Sequence, residues 1–174
     1  MSRSLASALG LIRDIPDFPE PGVLFRDLSP LFADGDALRA VIGGLSDVLS
    51  GGVDVLVAVE ARGFLLGGAL AQAHGLGLVP VRKPGRLPVV ADRVGYTLEY
   101  GTATLELPAG ALVEGQRVAI VDDVLATGGT VAATCELVER AGAAVETVSV
   151  VLELAALEGR SRLAGRKVHS LLVV

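Results

Sequence analysis

Apolar positions along the chain fall into two kinds of run that alternate. Residues 53–59 (Val-Asp-Val-Leu-Val-Ala-Val) are nearly continuous and β-branched, and 78–81, 117–121, 145–152 and 168–174 repeat that character. Strands that are apolar at every position are buried on both faces, the mark of a parallel sheet covered by helices. Between them, residues 63–73 read as a small-residue helix. From about 129 to 141 a second helix places Val131, Cys135, Val138 and Ala141 on one face and Glu136, Glu139 and Arg140 on the other. Two segments break the alternation. Residues 84–106 carry Gly85, Pro88, a polar–apolar alternation and both tyrosines, and predict a β-ribbon inserted between core units. Residues 16–30 hold four prolines, which excludes an ordinary helix or a central strand. The first fourteen residues have only a very short apolar stretch before Asp14 and read as an amphipathic helix, not a signal peptide.

A length of 174 residues fits one domain with a substantial core. Because 51% of residues are hydrophobic but only 3% aromatic, that core must be built from Val, Leu, Ala and Ile. A net charge of −5 without a basic run excludes an ordinary nucleic-acid binder. One cysteine, Cys135, cannot close an internal disulfide and reads as a small buried apolar side chain; two histidines provide no zinc cluster. The uncharged run 63–81 is long enough to span a bilayer, but it contains Gln72, His74, five glycines and Pro80, so it reads as helix, turn and strand. The expectation is a soluble cytoplasmic protein without membrane or nucleic-acid partners.

Ligands of open parallel sheets sit at the carboxyl ends of the strands. Glu60-Ala61-Arg62-Gly63, Arg82-Lys83 and Asp122-Asp123 follow three different predicted strands. The third is the sharpest signal. Two acids are read as ending a buried strand, and Thr127-Gly128-Gly129-Thr130 then opens a helix. Glycines let backbone N–H groups turn inward, and a helix N-terminus adds positive partial charge, which together make a phosphate cradle. Adjacent carboxylates accept hydrogen bonds from a pair of vicinal ribose hydroxyls. Gly75-Leu76-Gly77 lies between helix and strand, the reverse of a dinucleotide fingerprint, and no P-loop motif occurs.

The stretch from Val118 through Asp122-Asp123-Val124-Leu125-Ala126-Thr127-Gly128-Gly129-Thr130 resembles the phosphoribosyl-pyrophosphate (PRPP) motif of type I phosphoribosyltransferases. Phe25-Arg26-Asp27 with its prolines, Glu60-Ala61-Arg62-Gly63-Phe64, Val81-Arg82-Lys83-Pro84-Gly85 and Leu98-Glu99-Tyr100-Gly101-Thr102 resemble the adenine-specific branch. The resemblance runs nearly end to end.

It implies an α/β fold with a mostly parallel sheet flanked by helices, in a single domain over 1–174, with an N-terminal adenine-binding hood at 16–32 and a flexible flap at 84–106. It implies Mg²⁺-dependent transfer of 5-phosphoribosyl from PRPP to N9 of adenine, giving AMP and pyrophosphate in purine salvage, by a homodimer. Asp122 and Asp123 would hold the ribose hydroxyls, and Ala126, Thr127, Gly128, Gly129 and Thr130 the 5-phosphate. Arg62, Arg82 and Lys83 would neutralise pyrophosphate, some of them across the dimer interface. Mg²⁺ would be held mainly by PRPP near Asp122 and Asp123. Leu24 and Arg26 would offer backbone groups to the base edge and Phe25 its ring, while Glu99 would serve as acid/base and Tyr100 would close the flap. The chain departs from the family before Tyr96, where Val89-Val90-Ala91-Asp92-Arg93 replaces a small-hydroxyl or acidic cluster. A PRPP- or nucleotide-binding regulator without turnover, or an enzyme for another purine, are the alternatives.

Overall fold

The computed structural model describes residues 3–49, 52–97 and 102–174, and the chain divides into two compact units, 1–44 and 45–174. In the first, α1 (Leu5–Leu9) is capped by Ser4, whose hydroxyl accepts the Ser7 N–H at 3.2 Å. The helix expected over the first fourteen residues is therefore short: the chain leaves it at Gly10 and becomes β1 (Arg13–Pro16), paired antiparallel with β2 (Leu24–Asp27). The prolines confine this segment to a two-stranded ribbon. Arg13 pairs with Asp27 at 2.6 Å, Arg26 pairs with Asp14, and the Phe18 and Phe25 rings meet edge to face at 5.1 Å. Then follow α2 (Ser29–Ala33) and α3 (Gly35–Ser46), the latter opened by Asp34 accepting the Asp36 and Ala37 N–H groups at 3.0 and 2.9 Å. The strand–helix reading passed over α3.

The second unit contains β3 (Val55–Val59), α4 (Gly63–His74), β4 (Gly77–Val81), β5 (Val90–Thr97), β6 (Thr102–Pro108), β7 (Arg117–Leu125), α5 (Gly129–Arg140), β8 (Ala144–Glu153) and β9 (Val168–Val173). Five strands form one parallel sheet in the order β4-β3-β7-β8-β9. The expected mostly parallel sheet with helices is what the sequence folds into. The alternating segment is the antiparallel ribbon β5–β6, joined to the sheet edge where Arg82 and Glu106 exchange backbone hydrogen bonds at 3.0 and 2.7 Å. One boundary differs: Asp122 and Asp123 do not end β7, which goes on pairing with β8 as far as Leu125 opposite Glu153.

One sheet face carries Val55, Val57, Val59, Val118, Ile120, Val148 and Val150, which pack in one cluster with Val131, Cys135 and Val138 of α5 and with Leu105 and Leu107 of the ribbon. Each fully buried Val or Leu stabilises by about 1.5–3 kcal/mol. Burial pushes the Cys135 thiol up to about 11. On α4, a side chain at Gly67 would meet the Ala58 Cβ at 2.7 Å, so glycine sets how closely helix and sheet approach. At the amino-terminal end of the strands Arg117 grips Asp54 with Nη2, Nε and its backbone N–H at 2.7, 3.1 and 2.8 Å. No helix among the described residues is long and apolar enough to cross a membrane.

Candidate active site

The carboxyl-terminal edge of the sheet brings together Arg62, Lys83, Asp122, Asp123 and residues 126–130 of the set picked out by sequence. A cavity of about 370 Å³ is lined by Glu60, Ala61, Arg62, Lys83, Tyr96, Ala103, Leu105, Asp122, Asp123 and Thr130. A smaller cup of about 60 Å³ beside it is formed by residues 124–131 and shares Thr130. A larger cavity, about 490 Å³, is bordered by Val53, Glu146, Thr147, Lys167 and His169 at the other ends of the strands and holds none of the predicted site residues. The smaller cavities are the chemically equipped ones.

Asp122 and Asp123 are only 8% and 6% exposed. The Asp123 N–H donates to Asp122 Oδ1 at 2.9 Å. Arg62 Nε comes within 2.6 Å of Asp123 Oδ2, but not in hydrogen-bond alignment, and that oxygen has no hydrogen-bond partner among the described residues. Burial, reinforced by the Asp123 charge, pushes Asp122 well above the usual carboxylate range. Burial raises Asp123 as well, against the pull of Arg62. Buried acceptors without donors are uncommon, and this one is matched by a ribose hydroxyl or a hard cation. Among the described residues no three His, Cys, Asp or Glu side chains cluster as a metal site. Two adjacent carboxylates alone would supply too few ligands to hold a divalent cation such as Mg²⁺ without ligands from elsewhere.

The turn that carries Arg62 lies tight against this pair. A side chain at Gly63 would meet the Val121 carbonyl at 2.9 Å and Asp122 Oδ1 at 3.0 Å, so only glycine admits the turn. The Glu60–Ala61 peptide in it is cis. Glu60 accepts the Lys83 N–H at 2.9 Å and two Arg82 guanidinium N–H groups at 3.3 Å. Burial would raise its pKa, but these donors hold it below the ordinary value. Arg82 is thus committed to Glu60, to the Arg86 carbonyl and to the Phe64 ring 5.8 Å away, and it does not line the cavity. Lys83 does, and its ammonium has no ion-pair partner among the described residues.

The loop entering α5 turns at Gly128, with φ +79°, and no side chain caps the helix. The first N–H groups of such a helix have no intrahelical partner and can meet an anion. Thr130 donates its hydroxyl to the Tyr96 hydroxyl at 3.1 Å, which ties the ribbon to this loop. A side chain at Gly128 would strike the Gly159 carbonyl, and one at Gly159 would strike the Ala126 carbonyl. The supports from Glu60, Tyr96 and Gly159 are additions to the predicted set. Of these, Glu60 carried a signal as the acid opening the Glu60-Ala61-Arg62-Gly63 stretch, and Tyr96 as one of six aromatics in the chain.

Leu24, Phe25 and Arg26 lie on β2 in the N-terminal unit, with Leu24 45% exposed and the other two half-buried. Leu24 and Arg26, two residues apart, direct their backbone groups to one side of the strand and Phe25 to the other. Glu99 and Tyr100 fall outside the described residues.

Residues 33–169 match the family described as "Phosphoribosyl transferase domain". An adenine phosphoribosyltransferase of Saccharopolyspora erythraea is 60% identical over 172 residues, covering 99% of this chain and 93% of that protein. The crystal structure of adenine phosphoribosyltransferase from Thermoanaerobacter pseudethanolicus matches with a TM-score of 0.95 at 46% identity, over 98% of this chain and 100% of the other. That of Saccharomyces cerevisiae, complexed with D-2,5-dideoxy-2,5-imino-altritol 1,6-bisphosphate and adenine, matches with a TM-score of 0.88 at 38% identity, over 95% and 99%. A likeness that runs the length of the chain in sequence and in backbone makes this protein a member of the phosphoribosyl transferase family, among the adenine phosphoribosyltransferases.

Proposed function

We propose that the chain transfers the 5-phosphoribosyl group of PRPP to N9 of adenine, releasing pyrophosphate and AMP, as a cytoplasmic homodimer in purine salvage. The observation that carries this reading is the union, at one sheet edge, of a buried carboxylate oxygen without a hydrogen-bond donor among the described residues and a glycine-turned helix start.

Breaking the C1–O bond of PRPP builds positive charge on the ribose and negative charge on the departing pyrophosphate. Groups fixed in advance at both places lower the barrier without reorganising. Asp122 and Asp123 accept the ribose hydroxyls and face the developing positive charge. The N–H groups of Ala126, Thr127, Gly128, Gly129 and Thr130, with the Thr hydroxyls, hold the 5-phosphate. Arg62 and Lys83 meet the pyrophosphate, and Arg82, held by Glu60, adds its charge at longer range. Asp122 and Asp123 are the residues that would hold Mg²⁺, which when bound supplies charge neutralisation on pyrophosphate and ribose oxygens. Leu24 and Arg26 offer backbone groups to the edge of adenine and Phe25 its ring. Glu99 moves a proton at the imidazole nitrogens of the base, and Tyr100 helps the flap exclude water that would hydrolyse PRPP.

Purified protein incubated with Mg²⁺, PRPP and adenine, hypoxanthine or guanine tests the assignment. AMP formation with adenine alone is expected. Turnover of another purine and not adenine overturns the base assignment, and PRPP binding without any turnover makes the chain a sensor. Glu99→Gln should lower kcat with little change in KM; a pure KM effect would reduce Glu99 to a binding group.

A further inference from the structure

Gly159 and Arg160 lie in a short 3-10 segment, Gly159–Leu163, far in sequence from the phosphate loop. Yet the Gly159 backbone occupies the space that a side chain on Gly128 would need, and the Ala126 carbonyl closes the space beside Gly159 in return. The loop thus rests on backbone that is itself not part of any strand or helix of the core, and something must hold that backbone still.

Arg160 is placed to do so. Its Nε donates to Glu153 Oε1 at 2.9 Å, and Nη2 donates to Glu153 Oε2 and to Ser170 Oγ, the latter at 3.3 Å. Nη1 donates to the Val168 carbonyl at 2.9 Å, and the Ser170 hydroxyl donates in turn to Glu153 at 2.6 Å. Glu153 is 5% exposed, so its charge depends on these donors. Glu153 also lies opposite Leu125, the last residue of β7 before the loop begins. A closed mechanical circuit results: β7, phosphate loop, Gly159, Arg160, Glu153 and back to β7. Leu163, 1% exposed in the main core cluster, pins the other end of the segment. Every donor direction of Arg160 that the structure assigns is spent on protein acceptors, so its influence on a phosphate is exerted through Gly159.

We propose that Arg160 is a positioning residue for the 5-phosphate loop, acting by clamping Gly159 beneath Gly128. This rests on the reading of residues 126–130 as the PRPP phosphate cradle.

The test is steady-state kinetics of AMP formation for the wild type, Arg160→Ala, Arg160→Lys, Gly159→Ala and Thr130→Ala, each with a thermal melt. Arg160→Ala should raise the KM for PRPP about tenfold and leave the KM for adenine within about twofold, and Arg160→Lys should recover part of the loss. Gly159→Ala leaves the ion pair intact but wedges the loop, and should cost about a hundredfold in kcat/KM for PRPP. If Arg160→Ala fails to fold, Arg160→Lys, which keeps a cation beside Glu153, carries the test of Arg160, and a normal KM for PRPP in that variant overturns its role; Gly159→Ala tests the packing beneath Gly128. An unchanged KM for PRPP in Gly159→Ala, or equal effects on both substrates in a folded Arg160→Ala, overturns the inference. Thr130→Ala separates the two layers. If it leaves PRPP kinetics untouched, the cradle reading fails; if it weakens PRPP while Gly159→Ala does not, only the clamp fails.

Discussion

Both ends of the parallel sheet set an aspartate against an arginine, and the two pairs are built oppositely. At the amino-terminal end Asp54 is partly exposed and receives three N–H groups from Arg117, which hold its pKa down to about 2. At the carboxyl-terminal end Asp123 is buried and Arg62 approaches it closely, yet Oδ2 has no aligned donor among the described residues and burial pushes the pKa up. The first pair is complete in itself and fastens β3 to β7. The second leaves Oδ2 without an aligned donor among the described residues, a place that a ribose hydroxyl would fill on the proposed reading. The same two residue types therefore make a fastener or a site according to burial and alignment.

The largest expected effect separates these roles. Asp123→Asn should lower AMP formation about a thousandfold while the melting temperature holds or rises, because it removes a buried charge short of donors. A fall in both would make Asp123 a fastener like Asp54. Next, Lys83→Ala should raise the KM for PRPP about tenfold, with a weaker dependence of that KM on ionic strength than in wild type. An unchanged KM would show that the Lys83 ammonium does not meet substrate. Asp54→Ala should do the reverse of Asp123→Asn, lowering the melting temperature by roughly a few degrees with activity within about twofold. The smallest effect is in acid. The carboxylate of Asp54 is more acidic when folded, chiefly through its Arg117 hydrogen bonds. The stability it contributes is complete above pH of about 4 and disappears as pH falls toward 2. The difference in urea midpoint between wild type and Asp54→Asn should therefore narrow from pH 5 to pH 2.5; a constant gap would refute the ion-pair origin.

The strands β3, β7 and β8 were legible because burial on both faces leaves an unbroken apolar run, and α5 because its two faces differ. Helix α3 is equally written in the spacing of Leu38, Val41, Ile42 and Leu45, although it lies outside the predicted elements. The end of β7 was misplaced because paired acids ordinarily stop a strand; here pairing to β8 carries the backbone through them. Within the site, Asp122, Asp123 and the loop 126–130 were visible because they are contiguous. The Glu60–Arg82 pair, the Tyr96–Thr130 contact and the Gly128–Gly159 packing join residues 22 to 34 positions apart, and only the folded chain brings them together. The Glu60 carboxylate that engages the Arg82 guanidinium could not be read from the charge pattern alone, because the two residues meet only in the fold.

Cys135 makes the chain a clean host for a spectroscopic label. It is the sole thiol, fully buried, and protonated until about pH 11, so maleimide reagents should pass it by. A second cysteine introduced as Thr102→Cys, at the exposed start of β6, would be the one reactive position. A fluorophore there would test whether the ribbon moves when PRPP is added, without first stripping the native sequence of sulfur.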